Sequence, residues 1–186
     1  MSPPTTLTPA QVARIRLTPD FANLQVEFQA RAAQLAAELG ALNPSQLRGL
    51  ANALSGGDQR SPTQQRRSLA EFLAWRVLRA AKAEETPSTA QPAGSAWQEF
   101  GVRVTGEIER IERDCNSSMD SLRHEQEAYW TTHASILAVV QRELTLRAIE
   151  LFVHTLVRLA IIHQQTAPSA TVVEGGGNAQ PTHSTT

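Results

Sequence analysis

The chain reads N-P-S-Q-L-R-G-L-A-N-A-L from Asn43 to Leu54, breaks at Gly56-Gly57, and resumes S-P-T-Q-Q-R-R-S-L-A-E-F-L-A-W-R-V-L-R-A-A-K from Ser61 to Lys82. Each half opens on a polar residue followed directly by proline. The polar side chain can accept an orphan amide hydrogen bond, and proline at the first helical position gives up a donor that has no partner there. Leu47, Leu50 and Leu54 recur at helical spacing in the first half, and Leu69, Phe72, Leu73, Val77 and Ala80 do so in the second. This stretch therefore predicts two amphipathic helices, about Pro44–Leu54 and Pro62–Ala83.

The same device appears upstream at Thr8-Pro9 and Thr18-Pro19. It predicts a short helix over Pro9–Arg16 and a second over Pro19–Leu39, with Phe21, Leu24, Phe28 and Leu35 inward and Gly40 as the stop. Downstream, E-E-T-P-S-T-A-Q-P-A-G-S-A lacks any apolar period and reads as a mobile linker over about 84–95. A further helix is expected from Ala96, capped by Ser95, with Trp97, Phe100, Val104, Ile108 and Ile111 on one stripe. The poor helix formers in D-C-N-S-S-M-D (Asp114–Asp120) are expected to kink or end it. A last helix, Thr132–His163, is apolar on nearly every face between Leu144 and Ile162, the mark of a helix buried among neighbours. The composition agrees, with 41% hydrophobic and 19% charged residues and few aromatics. The fold expected is all-α: a single bundle of about five to six helices over 1–164, with a disordered tail over 165–186.

Charge is unevenly spread. The net charge of −1 hides ten Arg/Lys against five Asp/Glu up to Ala83, and seven against thirteen from Glu84 onward. Such polarity fits an anionic partner on one side, or head-to-tail association between copies. Sixteen of the 17 cations are Arg, which grips phosphate bidentately and stacks on bases.

Catalytic chemistry finds little in these residues. Glu150 and His154 lie four apart with no second such pair, so a bundle metal site lacks its ligand set. His124, with Glu125 and Glu127, reads as part of a solvated face for the same reason. Cys115 stands alone, with no disulfide partner and no local cationic cluster to activate it. No Gly-rich loop is followed by Lys-Ser/Thr. No enzyme, metal or cofactor is expected. The N-terminus has neither a basic nor an apolar signal region, and no apolar run approaches the roughly 18 residues of a membrane span. A cytoplasmic protein without a membrane partner is the expectation.

The basic pair is the remaining lead. Asn43–Lys82 carries seven cations against two acids. Ser45, Gly49 and Asn52 lie opposite the leucines of the first helix, with Arg48 on the flank. On the second, Arg67, Glu71, Trp75, Leu78 and Lys82 point away from the apolar stripe, while Arg76 falls within it and has to snorkel or meet an anion. Cations on a rigid surface beside a stackable aromatic suit a nucleic-acid backbone. The plainer reading is a solvated face with Trp75 packed on another helix.

At P-S-Q-L-R-G-L (Pro44–Leu50) the chain resembles the small helical subunit of type III, Csm-type, CRISPR effector complexes. There a short T-S-Q/K-L/I-R-like motif opens a helix, matched here by Ser45, Gln46, Leu47 and Arg48. A second helix comparable with Leu69–Arg79 follows, and the long final helix is similar to Arg142–His163. The resemblance implies a non-catalytic subunit that stacks in copies, head-to-tail, beside the other effector subunits. It would contact the backbone of the guide–target RNA duplex through Arg48, supported by Arg66, Arg67, Arg76 and Arg79, with Gln46, Asn52 and Trp75 on the same surface. Two other readings compete: a helical homo-oligomeric scaffold or adaptor without nucleic acid, and a helix-turn-helix regulator. The spacer of about seven residues is long for the latter's three-to-four-residue turn.

Overall fold

Six helices, and no strands among the described residues, make up the computed structural model: α1 Pro9–Glu38, α2 Pro44–Leu54, α3 Pro62–Glu84, α4 Ala93–Glu125, α5 Glu127–Thr132 and α6 Ala134–Thr166. The structure describes residues 7–38, 44–55, 60–84 and 93–166. The Asn43 cap, the stop at Gly40, the Gly56-Gly57 break and most of the linker and tail lie outside them, as do the side chains of Ser95 and Lys82.

Two helix starts are closed by reciprocal bonds. The Thr8 amide donates to Gln11 Oε1 (2.8 Å) while the Gln11 amide donates back to Thr8 Oγ1 (3.3 Å). Ser61 and Gln64 repeat the arrangement at 2.9 and 3.4 Å. Each pair satisfies two orphan amides, so T-P-A-Q and S-P-T-Q are capping boxes as well as proline starts.

The expected start at Thr18-Pro19 does not occur, because α1 runs straight through it. Ala13, Leu17, Phe21 and Phe28 form one continuous buried stripe across Pro19, so breaking the helix would pull half of that stripe off the core. Pro19 sits on the exposed face, where water can bond the freed carbonyl, and Thr18 turns its hydroxyl back to the Arg14 carbonyl (2.7 Å) rather than capping a new helix.

α4 likewise does not end or break at Asp114–Asp120, and it begins at Ala93 rather than Ala96. Ile108, Ile111, Cys115, Met119 and Leu122 keep the core phase, and Ser118 and Ser121 back-bond to the Asp114 and Ser117 carbonyls. Burial overrides weak propensity here. The single turn α5, anchored by buried Trp130, then reverses the chain, so α6 starts at Ala134 and runs past His163 to Thr166. Gln141 of α6 donates to Asn116 of α4 (2.5 Å) across the resulting hairpin.

α6 touches all five other helices, which explains its apolar character on most sides, while Arg142, Arg147, His154 and Arg158 stay exposed. α1 lies along α6, and α3 along α4. Buried side chains from all six helices join in one hydrophobic core.

Candidate functional site

α2, α3 and α4 meet at one corner. α2 seats Leu47, Leu50 and Leu54 in the core and leaves Arg48 and Asn52 exposed. Gly49 faces α3 so closely that a Cβ there would stand 3.2 Å from Phe72 Cζ and 4.0 Å from an Arg76 guanidinium nitrogen. The absence of a side chain lets the two helices close on that arginine.

Arg76 is held among aromatic rings. Its guanidinium carbon lies 5.2 Å from the Phe72 ring centroid, 5.1 Å from Trp75 and 5.5 Å from Trp97. Arg79 extends the stack, 5.2 Å from Trp75 on the solvent side. Trp97 is itself fixed. It is 3% exposed, meets Phe100 and Phe72 edge-on, and donates its indole N–H to Gln46 Oε1 at 2.5 Å. Each cation–π contact contributes about 0.5–2 kcal/mol, more as water is excluded. Arg76 makes no ion pair among the described residues, and its buried Nε meets no acceptor among them. The corner therefore holds a half-buried cation on rigid rings, its charge uncompensated by any carboxylate among the described residues.

The residues expected to bind RNA do not form one surface. Arg48, Arg76, Arg79, Trp75 and Asn52 lie at or beside the α2–α3 corner, and Trp75 is 50% exposed. Gln46 lies below it as the acceptor of the Trp97 indole. Arg66 emerges on the opposite flank of the buried Leu69–Leu73 stripe, where its Nε donates to Glu112 of α4 at 2.5 Å. Arg67 is outward and bonded to Glu71 at 2.7 Å. Trp97 and Phe72, which build the stack, read in the sequence only as apolar stripe residues. No short-range signal ties Trp97 to a site 21 residues upstream at Arg76.

The chain matches no protein-family model, no curated protein and no solved structure.

On the flank of α3 away from the stack, where Arg66 emerges, α3 and α4 line a mainly apolar groove of about 810 Å³ that includes Leu73, Leu78, Gly101, Val102 and Ile108. The helices approach closely because a Cβ at Gly101 would collide with Val77. Elsewhere the chemistry is quiet. Burial pushes the Cys115 thiol up to about 11, so it stays protonated at neutral pH. His154 is exposed, and no group of three or more His, Cys, Asp or Glu suited to a metal ion occurs among the described residues. No helix among them is long and apolar enough to cross a membrane.

Proposed function

We propose that this chain is a non-catalytic, RNA-positioning subunit of a multi-protein effector, of the kind its likeness to the type III small subunit implies, gripping the RNA backbone at the α2–α3 corner. The observation that carries the reading is the Arg76–Trp75–Arg79 stack, with Arg48 exposed on α2 next to the Gly49 that packs on it. These three cations have no carboxylate partner among the described residues, and two of them are braced by rings. A phosphate gains most from cations that are already positioned and not already neutralised. Arg66 and Arg67, bonded to Glu112 and Glu71, contribute less.

The test is RNA binding measured across salt concentrations. Arg48→Glu and Arg79→Glu should each weaken binding about tenfold and flatten the slope of log K against log salt by about 0.7–1, the share of one phosphate contact. Arg67→Glu should change both far less. Equal effects at all three positions, or no RNA affinity in the parent chain, would sink this reading.

A scaffold without nucleic acid is favoured by one observation, the open apolar groove with Leu78 57% and Val102 62% exposed. Under that reading Leu78→Asp abolishes partner capture while Arg79→Glu leaves it intact.

A further inference from the structure

α1 has two apolar faces, and only one of them is covered. Leu17, Phe21, Phe28, Ala32 and Leu35 face the core. At 3.6 residues per turn, the opposite face gathers Ile15, Pro19, Ala22, Val26, Ala30, Ala33 and Ala37. Ile15 is 58% and Val26 68% exposed. The charges of α1 lie off this face. Arg14, Arg16, Arg31 and Glu38 bond Glu143, Glu125, Asp114 and Arg103 on other helices, Glu27 bonds Arg31 within α1, and Asp20 stands exposed at the flank, about a third of a turn away. An ordinary solvent-facing helix carries its charges outward; this one carries them at its flanks.

We infer that this face is a two-fold interface, with α1 packed antiparallel on α1 of a second copy. The order of side-chain sizes selects that occupant. With the two-fold axis at the height of Leu24, on the side away from the core, Ile15 lies opposite Ala33 of the other copy and Val26 opposite Ala22, while Pro19 comes level with Gln29. The two large aliphatic side chains each find an alanine, in both halves at once, as an isologous contact requires. A neutral seam also brings no like charges together, whereas a charged partner would find nothing on it to bond. The arrangement closes on itself and so differs from head-to-tail stacking.

The seam sets the strength. Gln11 to Ala37 spans roughly 40 Å of helix about 10 Å wide, or roughly 400 Å² per copy. That is about half of the roughly 800 Å² per partner in standard interfaces, so the dimer should be weak and form only towards high concentration.

Sedimentation equilibrium of the full chain, from about 10 µM to about 1 mM, reads this out. The mass should rise from monomer to dimer, and Val26→Arg should weaken association at least tenfold while its circular-dichroism melt stays unchanged. In an oxidised mixture of Ala22→Cys and Val26→Cys chains, the mixed disulfide should dominate over either homodimer. A monomer at every concentration overturns the inference, whether the face is then covered by residues 167–186 or by another protein. So does a dimer that Val26→Arg leaves intact, which would place the contact elsewhere, for instance in the α3–α4 groove.

Discussion

Arg31 and Arg76 are both half-buried, and both lie over phenylalanine rings, at 5.4 Å from Phe28 and 5.2 Å from Phe72. Their surroundings otherwise oppose each other. Arg31, in the seam between α1 and α4, meets Glu27 at 3.2 Å, Glu107 at 3.6 Å and Asp114 at 2.9 Å. Burial works against its charge, and Asp114, with Glu27 and Glu107, more than restores it, holding the guanidinium above its ordinary value. Arg76 meets three rings and no carboxylate among the described residues. Arg31 ties helices together, whereas under the proposed reading Arg76 is available to an outside anion. The lesson is that a cation's partners, and not its burial, separate a structural arginine from an available one.

The most disruptive way to test the contrast is to remove the floor under Arg76. Trp97→Ala should cost about 3–5 kcal/mol in chemical denaturation, because a buried indole, two edge-on ring contacts and the Gln46 bond go together. A cost below about 1 kcal/mol would mean that the corner is not built on Trp97. Next comes Arg31→Ala, expected to cost about 2–3 kcal/mol by leaving Glu107 and Asp114 facing each other without a counter-ion. RNA affinity of the folded variant should be unchanged; a loss would erase the distinction between the two arginines. The mildest is Arg76→Met, which keeps length and polarisable contact with the rings but drops the charge. Stability should hold within about 1 kcal/mol while RNA affinity falls three- to tenfold, by about the strength of one charged contact. Unaltered affinity would return Arg76 to the structural class alongside Arg31.

Local chemistry made much of the fold legible. The starts at Pro9, Pro44 and Pro62, the inward leucines of α2 and α3, the inward placing of Arg76 and the outward placing of Trp75 all follow from side-chain spacing and caps. The failures share one cause. Thr18-Pro19 and Asp114–Asp120 carry local signals worth about 1–3 kcal/mol against a helix, whereas the stripes crossing them bury several large side chains at about 1.5–3 kcal/mol each. The core wins. The candidate site was legible only in part. Its cations could be counted, but whether each was already neutralised depended on partners such as Glu112, 46 residues from Arg66.

By itself, then, the sequence determined helix class, most helix starts and which face of each helix is apolar, since these rest on contacts within a few residues. The tertiary structure decided which helices stay continuous, which arginines lack a carboxylate partner among the described residues and which apolar face of α1 stays open. Those outcomes depend on distances between residues far apart along the chain, and those distances are set only when the other five helices close around α6.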